Sequence, residues 1–291
     1  MASSISASSV ILKVPKPIAG TLLPLFNLKY FIISPFFLLF IYPYDIINNM
    51  KTALITGSSR GIGAAIARRL AKSYKIVINY NNSEEPALAL LKELRQVNPN
   101  VIAVKADLSK EDEVDYLFKT AEANFGHVDI LINNAGKSYV GLIQDMDFEK
   151  WQEMVNTNLN SVFLATKRAL GPMISEKDGV IINISSIWGK EGAALEACYS
   201  ATKGAVNTFT KALSKELAPS NIRVNAIAPG VVLTDMMKND YSERELDLIK
   251  EDIGLGRFAD PKEVADLVAF LISDEASYIT GSIIDINGGF C

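Results

Sequence analysis

From Thr52 onward, short apolar runs alternate with longer stretches in which apolar residues recur at helical spacing. This alternation is typical of βαβ units, in which helices cover both faces of a parallel sheet. The predicted strands are Ala53–Thr56, Ile76–Asn79, Val101–Lys105, Ile130–Asn133, Val180–Ile184, Arg223–Ile227 and Ser282–Ile286. The predicted helices include Gly63–Ser73, Glu84–Asn98, Lys110–Phe125, Phe148–Ser175, Ala197–Leu217, Glu243–Glu251 and Lys262–Ile272. Because no repeat or linker interrupts this pattern, we expect a single doubly wound α/β domain of the Rossmann type with a seven-stranded parallel sheet.

Residues 1–49 differ in composition from the rest of the chain. They begin with a serine-rich, acid-free stretch, hold three lysines and one acid, and contain an uncharged run from Tyr30 to Tyr44. That run is shorter than the roughly 20 residues that a membrane-spanning helix needs, and no small-residue cleavage site follows it. Three interpretations stay open: upstream sequence included through a wrong start codon, an organelle-targeting peptide, or a membrane anchor. We therefore predict an N-terminal extension over 1–49 and one domain over 50–291, which would be cytoplasmic if translation starts at Met50.

The overall composition narrows the possible functions. The net charge of −4 gives no electrostatic support to nucleic-acid binding. The two cysteines, Cys198 and Cys291, have no metal-like spacing, and the single histidine, His127, argues against a histidine-rich metal site or a Ser-His-Asp triad. We therefore expect no metal cofactor, and the cysteine usage fits a reducing compartment.

A glycine-rich turn follows the first predicted strand, with the spacing Gly57-x3-Gly61-x-Gly63. Glycines allow a tight turn and a close approach of the backbone to a pyrophosphate at a helix N-terminus. Such a turn is often only a turn, but its place at the first strand-to-helix junction favours dinucleotide binding. The predicted contacts in this turn are Gly57, Ser59, Arg60, Gly61, Ile62 and Gly63.

The end of the second predicted strand indicates which dinucleotide is bound. An NAD enzyme typically has an acid there, whereas the sequence runs Asn79-Tyr80-Asn81-Asn82-Ser83 without one. Arg60 is either a solvated arginine or a planar partner for a 2′-phosphate, and we predict NADPH or NADP. Further predicted cofactor contacts are Asn81, Asp107 and Leu108 near the adenine, and Asn134, Ala135 and Gly136 near the nicotinamide ribose. Alternatively, Asp107 is only a helix N-cap and Asn133–Gly136 a plain strand-ending turn.

Tyr199 and Lys203 form the most informative pair in the sequence. Positions four apart on a helix share a face, so both side chains should point into one cleft. A neighbouring ammonium favours the phenolate and should bring the pKa of the tyrosine down towards the working range. Ser186, thirteen residues before Tyr199, supplies a hydroxyl for a carbonyl oxygen. A dinucleotide site together with this trio suggests a hydride-transfer enzyme.

These motifs, with Asn133–Gly136 and Pro229-Gly230, resemble the short-chain dehydrogenase/reductase family from about Lys51 to Phe290. The resemblance implies that Asn158 completes a catalytic tetrad with Ser186, Tyr199 and Lys203 by anchoring a water of the proton relay. It implies hydride transfer to a ketone carbon, protonation of the alkoxide by Tyr199 and stabilisation by Ser186. It also implies a homotetramer and nicotinamide contacts from Pro229, Gly230, Val232 and Thr234.

The sequence resembles two branches of that family. The segments Ile222–Gly230 and Tyr278–Gly289 are similar to 3-oxoacyl-[acyl-carrier-protein] reductases of fatty-acid biosynthesis, whose acidic carrier protein would seek a basic surface. Trp188 and Glu196 instead resemble the elongation factor P 5-aminopentanone reductases. A carboxylate at position 196 would suit a cationic or amino-bearing substrate, and the indole could pack against an alkyl chain or a cation. Alternatively, Glu196 is only a first-turn helix acid. Lys167, Arg168, Lys177, Lys211 and Lys215 are candidates for the basic surface.

The predicted substrate contacts are Ser186, Trp188, Glu196 and Tyr199.

A third interpretation of the protein's function is a sensor that binds NADPH without turning it over. The complete set of four catalytic residues disfavours it.

Overall fold

The computed structural model describes residues 50–234 and 243–290. The predicted extension over 1–49 lies outside the described residues. Within the described ranges, no helix combines the length and the apolar character that crossing a membrane requires.

The strands form one seven-stranded parallel sheet with the order β3-β2-β1-β4-β5-β6-β7. The order reverses beside β1, so that the carboxyl ends of β1 and β4 flank a crevice, which is where doubly wound sheets bind ligands. The strands are β1 (Thr52–Ile55), β2 (Lys75–Tyr80), β3 (Val101–Lys105), β4 (Ile130–Asn133), β5 (Gly179–Ile184), β6 (Ile222–Pro229) and β7 (Ile283–Ile286).

Helices connect the strands in the order that the sequence pattern predicts. They are α1 (Gly61–Leu70), α2 (Glu84–Leu94), α3 (Glu111–Phe125), α4 (Phe148–Val155), α5 (Ser161–Glu176), α6 (Trp188–Glu191), α7 (Ala197–Leu217), α8 (Glu243–Glu251) and α9 (Pro261–Ile272). The predicted α/β class and the seven-stranded parallel sheet are confirmed, with element bounds that shift by a few residues.

Two apolar layers hold the helices against the sheet. Because side chains alternate along a strand, Ile55 packs on one face among residues of α1 and α9, while Leu54 packs on the other. The second face buries Phe118 of α3 and Met173 of α5, both fully enclosed. Strands buried on both faces explain the nearly continuous apolar runs in the sequence.

Three local predictions need correction. The single helix predicted over Phe148–Ser175 is interrupted by a π-helical turn at Asn156–Asn160, because one extra residue is inserted in the helical register. The short helix α6 was not predicted, since four residues carry no periodic signal. Asp107 is not the N-cap of α3, because Lys110 holds that position. The carboxylate of Asp107 instead accepts hydrogen bonds from the backbone N–H and the hydroxyl of Ser109.

Candidate active site

The glycine turn joins β1 to α1 at the crevice. Gly57 and Gly61 have φ angles of +58° and +56°, which residues with a Cβ adopt only with strain. A Cβ on Gly57 would also lie 2.8 Å from Cα of Ala135, and one on Gly63 would lie 2.6 Å from Nδ2 of Asn134. Glycines are therefore required here both for the turn and for its packing against the end of β4.

The side chains of Thr56, just after β1, and Asn134, just after β4, hold the turn against the end of β4. The hydroxyl of Thr56 accepts hydrogen bonds from the backbone N–H groups of Asn134 and Ala135 at 2.9 and 3.0 Å. In return, Nδ2 of Asn134 donates to the carbonyl oxygens of Thr56 and Gly57 at 2.9 and 3.0 Å. The side chain of Asn134 thus holds the turn, and the residue also lines the crevice.

Asn79 of β2 is a second support of the turn that the sequence analysis missed. Its buried amide oxygen accepts from the backbone N–H of Gly57 at 3.1 Å, and its Nδ2 donates to the carbonyl of Ala106 at 3.1 Å. A polar side chain inside an otherwise apolar strand was the available signal. Because β1, β2 and β3 end together, one asparagine connects all three.

A cleft of about 960 Å³ opens along the carboxyl ends of the strands. It brings together most of the predicted site residues, from the glycine turn to the start of α7. Those that line it are Gly57, Ser59, Arg60, Gly61, Ile62, Asn81, Asp107, Leu108, Asn134, Ala135, Gly136, Ser186, Tyr199, Lys203, Pro229, Gly230, Val232 and Thr234. Gly63, Asn158, Trp188 and Glu196 are not part of its lining.

At one end of the cleft, where β2 terminates, no acidic residue follows the strand before Glu84. Arg60, Asn81 and Asn82 are exposed there, and the next acid, Glu84, is hydrogen-bonded to the hydroxyl of Tyr80. Burial alone would raise the pKa of Asp107, but hydrogen bonds from Ser109 and Asn81 outweigh it and lower that pKa. The anionic Asp107 therefore stands beside the cleft, while the β2 end offers Arg60 and two amides.

The other end of the cleft holds the tyrosine, the lysine and the serine. Tyr199 and Lys203 lie one turn apart on α7 and both line the cleft, with Nζ of Lys203 5.6 Å from the centre of the tyrosine ring. Lys203 is buried, and its Nζ donates to the carbonyl of Ile184 at 2.8 Å. The side chain of Ser186, just beyond β5, is hydrogen-bonded to Tyr199. The structure thus assembles the trio that the sequence spacing predicted.

The electrostatics of the pair differ from the prediction. Burial raises the pKa of Tyr199 to about 12; a hydrogen bond from Ser186 acts in the opposite direction and the charge of Glu196 adds to the rise. Burial lowers the pKa of Lys203 to about 8. The sequence predicted a pKa below the ordinary value of tyrosine, whereas desolvation of the phenolate places the pKa of Tyr199 above that value.

Asn158 lies in the middle of the π-helical turn and is fully buried. Its Oδ1 accepts from the backbone N–H of Lys137 at 2.8 Å, and its Nδ2 donates to the carbonyl of Lys137 at 2.8 Å and to Thr202 Oγ1 at 3.2 Å. A Cβ placed on Gly136 would lie 3.3 Å from Asn158 Oδ1 and 3.4 Å from Lys203 Nζ. Asn158 therefore connects the end of β4 to α7 directly behind the lysine.

Trp188 and Glu196 have partners within the protein. The side chains of the two residues are hydrogen-bonded to each other, and the indole packs edge-on against Phe290 with ring centres 5.7 Å apart. The structure therefore does not bring these two predicted substrate contacts to the cleft wall. In the described ranges there is also no group of three or more His, Cys, Asp or Glu residues that could hold a metal ion.

The fold and the site together define a class of protein. A doubly wound parallel sheet, a glycine turn at its crevice and a Ser-Tyr-Lys trio in the same cleft are the features of an oxidoreductase of the short-chain type. A family model described as short chain dehydrogenase matches residues 51–245. The chain belongs to the short chain dehydrogenase family.

The chain is similar over most of its length to individual oxidoreductases and ketoreductases. The chain is 45% identical over 242 residues to an uncharacterized oxidoreductase, YmfI, of Bacillus subtilis, covering 82% of this chain and 98% of the relative. It is 41% identical over 240 residues to the 3-oxoacyl-[acyl-carrier-protein] reductase FabG of Staphylococcus epidermidis, with coverage of 82% and 98%. A crystal structure of an actinorhodin polyketide ketoreductase variant with NADPH superposes with a TM-score of 0.81 at 36% identity, covering 84% of this chain and 98% of the other. The predicted enzyme class, an oxidoreductase acting between CH–OH and C=O groups, is confirmed.

Proposed function

We propose that the protein is an NADPH-dependent carbonyl reductase that converts a 3-oxoacyl thioester on acyl carrier protein to the 3-hydroxyacyl form. The observation that carries this proposal is one continuous cleft, with the glycine turn and Arg60 at one end and Ser186, Tyr199 and Lys203 at the other. The names of the relatives, two of which are reductases of this kind or of polyketides, support the substrate class.

The cofactor supplies the hydride, and the protein supplies its position. Backbone N–H groups of the glycine turn at the start of α1 suit the pyrophosphate. Arg60 and Asn81 suit a 2′-phosphate, since a charged guanidinium and an amide donor replace the acid that would bind a 2′-hydroxyl. Asp107 and Leu108 then flank the adenine, and Ala135, Gly136 and Lys203 the nicotinamide ribose. The remaining proposed contacts, near the nicotinamide, are Pro229, Gly230, Val232 and Thr234.

The proton comes from Tyr199. Ser186 and Tyr199 are hydrogen-bonded to each other at the cleft wall, so that a ketone oxygen placed between them would meet two hydroxyl donors. The high pKa of Tyr199 keeps the phenol protonated at neutral pH, which is the form that a reductase needs. Lys203 stands beside the phenol to stabilise the phenolate that forms, and Asn158 positions the backbone behind it.

Docking of an acidic carrier protein would use the exposed basic residues of the predicted surface. Lys167 pairs with Glu111 at 2.9 Å, and Arg168 is hydrogen-bonded to Glu122 and Asp115 at 2.8 and 3.0 Å. Two of the five predicted basic residues are therefore neutralised by acids of α3. Lys177, Lys211 and Lys215 are exposed and are the better candidates for an acidic carrier.

A second candidate function is reduction of a 5-aminopentanone group on elongation factor P. The observation that favours it is the partly buried carboxylate of Glu196, one helical turn before Tyr199, which would attract an amino-bearing ketone. Its hydrogen bond to Trp188 weakens this argument, because the carboxylate already has a donor. The interpretation as a non-catalytic sensor would leave the assembled Ser-Tyr-Lys trio without a role.

The experiment that separates these functions follows NADPH oxidation with acetoacetyl-CoA and with aminoketone-modified elongation factor P side by side, with NADH as the cofactor control. We expect turnover with acetoacetyl-CoA and a preference for NADPH. Turnover with the modified elongation factor alone would select the second candidate, and cofactor binding without turnover on either would select the sensor.

We further propose that the domain begins near Met50 and assembles as a homotetramer. Large apolar side chains that are exposed on single protomers, Phe163 and Ile174 on α5 and Tyr278 before β7, are consistent with burial between subunits. Removal of residues 1–49 tests the first proposal, since a truncated protein that no longer folds contradicts it. Light scattering tests the second, since a monomeric mass contradicts it.

A further inference from the structure

We propose that Asn207 is a positioning residue for the reduction: its amide holds α6 against α7, and α6 in turn holds the Ser186 hydroxyl ready to donate to the ketone oxygen. The proposal rests on the proposed function, because it takes Ser186 as a donor to the reacting carbonyl. Asn207 is not part of the cleft lining, so it acts through Ser186 and not on the substrate.

The side chain of Asn207 is a polar group in a buried place. It lies on the buried face of α7, one turn beyond Lys203, and is 6% exposed. Its Nδ2 donates to the carbonyl of Gly189 at 3.1 Å, whereas its Oδ1 has no hydrogen-bond partner among the described residues. A buried acceptor without a partner costs stability, and an apolar side chain would avoid that cost. The bond to Gly189 is therefore the contact that distinguishes Asn207 from an apolar residue.

Two glycines bring α6 into direct contact with α7. A Cβ on Gly189 would lie 2.7 Å from the carbonyl carbon of Lys203 and 2.9 Å from its Cβ. A Cβ on Gly204 would lie 3.3 Å from the carbonyl oxygen of Gly189, the same oxygen that accepts from Asn207. Because the two helices meet backbone to backbone, a hydrogen bond at this point fixes where α6 lies along α7.

The backbone of α6 connects this contact to Ser186. The N–H of Gly189 donates to the carbonyl of Ser186 at 3.0 Å, and the N–H of Trp188 donates to Oγ of Ser186 at 3.2 Å. Just before the helix, the N–H of Ile187 donates to the carbonyl of Pro229 at 3.1 Å, which anchors the segment to β6. Displacing α6 from α7 would therefore move a donor away from the Ser186 hydroxyl.

The bond from Trp188 determines what the Ser186 hydroxyl can do. A serine hydroxyl has one proton to donate and two lone pairs that accept. Because the N–H of Trp188 occupies a lone pair of Oγ, the oxygen is held in place and its proton is left for a partner in the cleft. The Ser186 side chain is hydrogen-bonded to Tyr199, and a ketone oxygen bound between the two would receive the bond from Ser186. Hydrogen bonds in a chain polarise one another, so the N–H also makes the hydroxyl a stronger donor.

The test compares Asn207→Leu with Asn98→Leu in the purified full-length protein, each alone and each combined with Ser186→Ala. Both asparagines are buried, and both donate from Nδ2 to backbone carbonyls. Asn98 lies in the connection between α2 and β3, its partners are Ala71 and Tyr74, and it is not part of the cleft lining. Asn98→Leu therefore removes bonds of the same kind without disturbing α6.

The measurements are kcat and KM for whichever ketone the wild type reduces, acetoacetyl-CoA or aminoketone-modified elongation factor P, together with NADPH affinity and Tm. A whole oxyanion donor contributes about 10²–10³-fold to kcat, and a displaced donor loses part of that. For Asn207→Leu we therefore expect kcat to fall by about tenfold, with KM and NADPH affinity unchanged. In the Ser186→Ala background the same change should cause no further loss, because the hydroxyl that it positions is absent. Asn98→Leu should keep the wild-type kcat although its Tm falls at least as far.

Three results would overturn the proposal: an unchanged kcat in Asn207→Leu, an equal loss of kcat in Asn98→Leu, or a loss from Asn207→Leu that persists in the Ser186→Ala background. If Asn207→Leu does not fold, Asn207→Ala removes the same donor without adding apolar branches, and the same outcomes apply to it. Failure of the proposed function is detected separately, since it would show as full activity in Ser186→Ala alone or as no turnover of either ketone by the wild type.

Discussion

Replacing Thr56 by valine tests the connection between the glycine turn and β4. The two side chains have nearly the same shape, so the change removes the hydroxyl without opening a cavity. That hydroxyl accepts from two backbone N–H groups, those of Asn134 and Ala135, at 2.9 and 3.0 Å, and donates to the carbonyl of Ile132 at 3.3 Å. Thr56 is 1% exposed, so its own hydroxyl lies out of contact with water.

The size of the effect follows from the two orphaned donors. A buried donor left without a partner costs about 1–3 kcal/mol. Because Asn134 and Ala135 are only partly buried, we expect each donor to fall in the lower half of that range, which gives a loss of about 3 kcal/mol in the free energy of unfolding. For a domain of this size, such a loss lowers Tm by about 6–12 °C. Because the same bonds hold the cofactor turn, we also expect NADPH affinity to fall by about tenfold.

The strand that ends just before Thr56 offers a matched control. Thr52 is also 1% exposed, but its hydroxyl makes only one long contact, 3.5 Å to the carbonyl of Phe125. Thr52→Val should therefore cost less than about 1 kcal/mol and leave NADPH affinity unchanged. Urea denaturation measures the stability of both variants, and quenching of intrinsic fluorescence measures NADPH binding. Equal losses in the two variants would refute the role assigned to the Thr56 hydroxyl.

Three further predictions concern the cofactor, the buried lysine and the π-helical turn. Asn81→Asp should lower the preference for NADPH over NADH by about tenfold or more, because the new carboxylate repels a 2′-phosphate; an unchanged ratio of kcat/KM values would contradict the assignment. Burial lowers the pKa of Lys203 to about 8, whereas the pKa of a lysine in the unfolded chain is about 10.4. The unfolded chain therefore binds more protons between these values, so stability from this residue rises from pH 8 to 10, and Lys203→Met should lose that rise in urea titrations at each pH. Asn158→Ala leaves the N–H and carbonyl of Lys137 unpaired and should reduce Tm by several degrees together with kcat, measured by thermal unfolding and turnover.

The order of elements could be predicted because the central strands β1, β2, β4, β5 and β6 are buried on both faces and most of the long helices carry one apolar stripe. The bounds of α7 followed from helical periodicity, and the Tyr199–Lys203 pair could be picked out because Ser186 stands thirteen residues before Tyr199. The π-helical turn at Asn156–Asn160 could not be predicted, because a single inserted residue leaves the surrounding pattern helical.

The parts of the site that depend on tertiary contacts were less predictable. The sequence places Glu196 one turn before Tyr199, but only the fold shows that Trp188 comes back to meet it. The pKa of Tyr199 moves in the direction opposite to the prediction, since the spacing reveals the neighbouring lysine and conceals how deeply both groups are buried. Asn79 was overlooked for a similar reason, as its partners, Gly57 and Ala106, lie at the ends of two other strands, β1 and β3.

Tyr199→Phe tests the central claim most directly, because it removes one hydroxyl and keeps the ring that lines the cleft. The measurement is the rate of NADPH oxidation with acetoacetyl-CoA beside NADPH binding by fluorescence, in the variant and the wild type. We expect kcat to fall by about 10²-fold or more, as the loss of a positioned general acid requires, with NADPH affinity retained. Reduction at the wild-type rate would show that another group supplies the proton.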